Sequence, residues 1–182
     1  MYEQFKKSDL TMSQPSFIDT FSQQFTLEPA RTALLVIDMQ NATGNREMGL
    51  GALLAQQGNS ASAQYRFDRI DQLLIPNIQK LIKGFKEAGA HVIWITYGAN
   101  AANASDAPHH IAPIIKATNN IAGQPEHEIV DALKPEPGDL VLNKTTQGAF
   151  RSSALDSSLR ALGVTTVVST GVSTNNCVAM TS

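Results

Sequence analysis

Five consecutive apolar residues, Ala33-Leu34-Leu35-Val36-Ile37, run straight into a charged one, Asp38. A strand with one face in water alternates apolar and polar residues. An unbroken run therefore belongs to a strand covered on both faces, as in the middle of a parallel sheet. The pattern recurs at His91 to Thr96, at Leu140-Val141-Leu142 and in the β-branched stretch Thr165 to Ser169, giving three further short strands. Helical periodicity separates them. Ile70, Leu73, Leu74, Ile78, Leu81, Ile82 and Phe85 share one helical face, with Pro76 near the first turn and Gly89 as the stop. Leu155, Leu159 and Leu162 mark another helix that stops at Gly163. Strands alternating with helices at this spacing imply βαβ units. The expected class is α/β, three αβα layers around a parallel, Rossmann-like sheet.

The connections carry less pattern. Residues 41 to 63 are rich in Gly, Asn, Gln and Ala and read as a long loop with one short helical turn at Leu50 to Gln56. Tyr97 to Gln124 reads as loop with a short helix around Ile111 to Thr118. At 182 residues the chain suits a single core. Residues 31–182 are expected to form it, behind an arm of residues 1–30 whose Phe17, Phe21 and Phe25 recur at helical spacing and suit docking on a neighbouring subunit.

Charge narrows the function classes. The formal net charge is −2 with no Lys/Arg block, which removes the footprint expected for nucleic acid or an anionic membrane, and no apolar run approaches membrane-spanning length. The first residues, Met1 to Ser16, lack the apolar core of a secretory signal. A single cysteine allows neither an internal disulfide framework nor a multi-cysteine metal site. The expected partner is a small-molecule substrate, and the expected compartment is the cytoplasm.

Sites in open parallel sheets form at the carboxyl ends of the strands. Asp38 ends the first strand, Lys144 follows the third, and Cys177 lies just past the fourth at a helix start. A thiol is a useful nucleophile only as thiolate, and a nearby cation and a helix N-terminus both lower its pKa, so Lys144 is expected to acidify Cys177. Asp38 is placed to take the thiol proton and hand it to a departing amine. Backbone N–H groups in the turn from Gly171 to Cys177 are candidates for an oxyanion hole.

Three motifs occur in order at these strand ends: Leu35-Val36-Ile37-Asp38-Met39-Gln40, Asn143-Lys144-Thr145-Thr146-Gln147-Gly148-Ala149-Phe150 and Gly171-Val172-Ser173-Thr174-Asn175-Asn176-Cys177-Val178. Together they resemble the isochorismatase-like cysteine hydrolases, a family that includes nicotinamidases, carbamoylsarcosine amidases and biuret or ureide hydrolases, over most of residues 32 to 182. The resemblance implies that Asp38, Lys144 and Cys177 are a catalytic triad. It implies a cis peptide at Val172-Ser173, oxyanion donors on Ser173 and Cys177, a homo-oligomer (dimer or tetramer), and a six-stranded sheet. Four strands are legible here, so the expectation is of a chain lacking the last two. Where nicotinamidases carry an Asp-x-His metal motif, this chain reads Tyr97-Gly98-Ala99-Asn100, so no metal and no cofactor are expected. Ala42-Thr43 and Thr174-Asn175 also depart from the Asp-Phe and Thr-Asp of many relatives.

The function expected is cysteine-dependent cleavage of the C–N bond of a small amide, ureide or carbamoyl compound through a thioester-type intermediate. Two alternatives stand beside it: a non-catalytic binding or scaffold member of the same fold, and a thiol redox sensor using Cys177. Phe150 and Tyr97 are candidate substrate-binding residues. Asn45, Arg46, Tyr65 and Arg66 read equally as substrate or subunit contacts and as solvated loop, and His109-His110 reads as solvent-exposed rather than metal-binding.

Overall fold

The computed structural model describes residues 21 and 26–182. Phe17 and Phe25, and with them most of the expected arm, lie outside the described residues. The chain forms β1 (Thr32–Ile37), α1 (Asn41–Gly44), α2 (Gly49–Gln56), α3 (Gln64–Arg69), α4 (Ile75–Glu87), β2 (His91–Tyr97), α5 (Ala112–Ala117), β3 (Leu140–Lys144), α6 (Ala149–Ser152), α7 (Leu155–Ala161), β4 (Thr166–Gly171) and α8 (Ala179–Thr181). All pairings are parallel, in the order β3-β2-β1-β4.

Burial explains the unbroken apolar run of β1, every residue of which is buried. Leu34 and Val36 face one layer, packing with Phe67, Ile78 and Trp94, while Ala33, Leu35 and Ile37 face the other, with Leu155, Leu159 and Cys177. One layer comes from α3 and α4, the other from α7, giving the three layers the periodicity predicts.

Between α3 and α4 the helix widens into a π-helical stretch, Ile70–Leu74, closed by Ile75 N–H donating to the Ile70 carbonyl. Pro76 supplies the cause. It has no N–H to continue the ladder, and in a regular helix its ring would press on the carbonyl four residues back; the wider turn makes room. Residues 41–63, expected mostly as loop, are instead largely helical turns. Gly51 is the reason: a Cβ there would collide with the Arg46 backbone, so a residue of low helix propensity permits close packing.

The strand order places the site. The chain steps outward from β1 to β2 to β3, then returns across the sheet to add β4 on the other side of β1. A reversal of this kind opens a crevice beyond the carboxyl ends of the two strands where order switches, here β1 and β4.

Candidate active site

Asp38 leaves β1 with φ of 55°, a left-handed conformation that Asp tolerates better than most residues. Its N–H donates to the Ile95 carbonyl at 2.8 Å and its carbonyl accepts from Thr43 Oγ1 at 2.6 Å, which fixes the turn. Lys144, the last residue of β3, is wholly buried. Its Nζ donates to Asp38 Oδ2 at 3.0 Å and to the Thr146 carbonyl at 3.3 Å, and sits 4.1 Å from the centre of the Tyr97 ring. From the far side, β4 ends at Gly171, where φ is 114° and a Cβ would collide with the Ile37 carbonyl. Val172 N–H donates to that same carbonyl at 3.0 Å, tying the two strand ends together. The Val172–Ser173 peptide is cis.

The following helix begins at Thr174 rather than at Cys177. Ser173 caps it, its carbonyl accepting from Asn176 N–H at 3.0 Å and Val178 N–H at 3.3 Å, so Cys177 sits inside a π-helical turn, Thr174–Val178, and is buried. The Ser173 N–H itself donates no hydrogen bond among the described residues.

Electrostatics at this point depart from the sequence expectation. Burial raises the Asp38 pKa, opposed by the Lys144 charge and by hydrogen bonding from Cys177 and Lys144. The Cys177 thiol is pushed up to about 12, first by burial and then by the Asp38 charge, with Lys144 pulling the other way. Lys144 does favour the thiolate, as expected. It is outweighed because its charge is already matched by Asp38, leaving desolvation to dominate. The thiol interacts with the carboxylate as a weak donor, yet Asp38 Oδ1 accepts no hydrogen bond of ordinary geometry. Burial also raises the Tyr97 hydroxyl pKa, and the charges of Cys177 and Asp38 add to it.

Among the described residues three buried side-chain polar atoms lack a hydrogen-bond partner: Asp38 Oδ1, Tyr97 Oη and Arg66 Nε. Buried polar atoms are normally satisfied, and orphans mark places where a ligand or solvent belongs. Asp38 and Tyr97 meet at Lys144, and Arg66 Nη1 donates to Ser173 Oγ at 2.9 Å.

A family model, the isochorismatase domain, matches residues 32–182. The chain belongs to the isochorismatase family. It is 33% identical over 173 residues to the ureidoacrylate amidohydrolase RutB of Methylobacterium radiotolerans, covering 87% of this chain and 63% of that protein. Against the RutB of an Enterobacter species it is 31% identical, covering 87% of this chain and 70% of the relative. Among solved structures, an isochorismatase family protein from Desulfovibrio vulgaris superposes with a TM-score of 0.65 at 28% identity, over 83% of this chain and 72% of that one. The chain thus spans between 63% and 70% of the curated relatives it matches.

Within this isochorismatase domain Asp38, Lys144 and Tyr97 lie together, and Val172, Ser173 and Cys177 follow the end of β4 beside them. Phe150 stands apart, 42% exposed on α6. Among the described residues no cluster of three or more His, Cys, Asp or Glu converges as a metal site, and His109 and His110 are exposed.

Two residues have structural roles that the sequence does not assign. Gln40, fully buried, accepts from Tyr97 N–H at 2.8 Å and donates to the His127 carbonyl at 2.7 Å, so it holds the ends of β1 and β2 to the segment after α5. A glutamine next to Asn41 looks like loop; only its place in the first motif marked it. Arg66 was left undecided because its burial depends on where α3 lands.

Proposed function

We propose that the chain is an amidohydrolase that cleaves a C–N bond of a small amide, ureide or carbamoyl compound with Asp38, Lys144 and Cys177 as its catalytic group. The observation that carries this reading is the buried Asp38–Lys144 ion pair, whose Asp38 Oδ1 accepts no hydrogen bond of ordinary geometry, beside the buried Cys177 thiol. Ureidoacrylate amidohydrolases among the relatives support the bond type.

Burial and the Asp38 charge raise the thiol pKa, which favours one order of events. A resting thiolate would be rare, so Asp38 takes the proton as Sγ adds to the substrate carbonyl. The Lys144 charge opposes the burial that raises the Asp38 pKa and so favours its ionised form. The carbonyl oxygen, gaining charge, is held by the Ser173 and Cys177 N–H groups. Collapse breaks the C–N bond, and Asp38 returns the proton to the departing nitrogen. The acyl group stays on Sγ. Water then adds to the thioester-type intermediate, giving its proton to Asp38, and expulsion of Sγ with that proton restores the thiol.

The redox-sensor alternative needs an exposed thiolate, and burial and basicity at Cys177 oppose it. The test is ammonia release from ureido acids, carbamoyl amino acids, biuret, nicotinamide and aliphatic amides. The wild type is expected to turn over at least one class and Cys177→Ala none. Ligand binding without turnover by the wild type would instead favour the non-catalytic alternative.

A further inference from the structure

Arg66 differs from every other basic residue described. Arg46, Lys83, Lys86, Lys134, Lys144 and Arg160 each pair with a carboxylate. Arg31, Arg69, Lys80, Lys116 and Arg151 have no such partner but are exposed. Only Arg66 is both partly buried and without a carboxylate. Its acidic neighbours on the same helical rod, Asp68 and Asp71, are taken by Arg46 at 2.8 and 2.9 Å. What Arg66 has are two neutral acceptors, Ser173 Oγ at 2.9 Å and the Thr43 carbonyl at 3.1 Å, and a buried Nε with none. Removing a guanidinium from water without a counter-charge is costly, and burial lowers its pKa accordingly.

Arg66 lines a cavity of about 460 Å³ together with Tyr65, Arg69, the apolar Ile70, Leu73 and Leu74, and the turn Gly171 to Asn175. The second positive side chain, Arg69, carries no carboxylate either. The turn that adjoins Arg66 in this lining carries the Ser173 N–H that the hydrolytic reading assigns to the reacting carbonyl.

We propose that Arg66, with Arg69 at the rim, forms an anion subsite that holds a carboxylate of the substrate, so that the substrate class is a short ureido or amido acid rather than a neutral amide. A carboxylate is the planar, bidentate partner that an arginine with free N–H groups recognises. Arg66 touches the Ser173 side chain, so only a short carbon spacer separates the anion from the reacting carbonyl. The proposal rests on the hydrolase reading for what the bound molecule undergoes, but not for its binding.

Two probes separate the ideas: 3-ureidopropionate, and propylurea, in which a methyl replaces the carboxylate. Calorimetry on the Cys177→Ala protein reads binding without turnover. The acid is expected to bind roughly 10- to 100-fold tighter than propylurea, the size of one charge-assisted hydrogen-bonded pair. Adding Arg66→Gln should erase that preference and Arg66→Lys should restore part of it. Absence of an acid preference in the Cys177→Ala protein, a comparison that needs no Arg66 variant to fold, overturns the subsite; so does an Arg66→Gln loss that falls equally on both probes, as a merely structural role would give. Ammonia release separates this failure from that of the hydrolase reading. Turnover of both probes by the wild type with the same kcat/KM sinks the subsite and spares the hydrolase. Arg66-dependent binding of the acid, with no hydrolysis of any amide or ureide tried, does the reverse.

Discussion

At the scale of single residues, the site is a contest between desolvation and pairing, and Cys177 is where the balance can be read. Its thiol moves from 9.0 up to about 12, so alkylation by iodoacetamide should be slow at neutral pH and keep climbing beyond pH 9, where an unperturbed thiol would level off. A plateau near 9 would contradict the burial argument. The sign for stability follows: a folded-state pKa raised above the unfolded one gives a contribution that is complete below pH 9 and lost as pH rises toward 12. Asp38 raises the thiol pKa and is also its proposed base, so the two roles separate in Asp38→Asn. That variant should alkylate faster than wild type at pH 8 and yet release no ammonia. Slower alkylation would mean that Lys144 had lost its charge with its partner. The pair itself is a second test. Breaking a buried ion pair on one side leaves an unmatched charge, so Asp38→Asn and Lys144→Met should each cost about 3–5 kcal/mol, and the double variant, with no charge left to bury, less than the worse single change. Urea unfolding of the three variants checks this, and additive losses would argue against coupling.

At the scale of elements, what was legible in the sequence is what periodicity and punctuation encode. Four apolar runs became four strands, and Gly89 and Gly163 ended helices because their φ values, 74° and 69°, are ones that glycine adopts freely. The site residues were legible because strand ends are. What stayed hidden depends on tertiary contact. The α1 and α2 turns follow from close packing that no propensity records, the π-helical stretch from Pro76 lodging inside a continuous rod, and Arg66 from where that rod lands. The upward shift of the Cys177 thiol is hidden for a similar reason: charges within reach can be read from motif order, but depth of burial cannot. Gly171 concentrates these effects, since the crevice between β1 and β4 closes over it. Gly171→Ala forces a Cβ onto the Ile37 carbonyl at a φ that alanine avoids. A loss of roughly 2–4 kcal/mol is expected, together with loss of activity. A stable, active Gly171→Ala protein would show that the strand ends are not held as tightly as the Val172 to Ile37 bond implies.

For the whole molecule, homo-oligomerisation is proposed from the resemblance and from the phenylalanine-bearing arm, Phe17, Phe21 and Phe25 at helical spacing. A single-chain mass by light scattering would refute the proposal. The sheet order makes a further demand. Lys144 comes from one outer strand of the described sheet, Asp38 from its middle and Cys177 from beyond the other outer strand, so the proposed catalytic group is assembled only when every described strand is in place. Parallel pairing between strands far apart in sequence cannot be built piecemeal, because each pairing must first close a long loop. Trp94, the only tryptophan, lies buried on β2 with its Nε1 donating to the Leu133 carbonyl at 2.8 Å and Lys86 Nζ 5.4 Å from its ring centre. Its fluorescence therefore reports the centre of the fold, while ammonia release reports its two margins. The two should be lost together across a urea series, with one midpoint. Activity vanishing at clearly lower urea than the Trp94 signal would show that β4 and the Cys177 turn open as a separate, weaker unit, and would place the control of activity in the docking of that strand rather than in the ion pair.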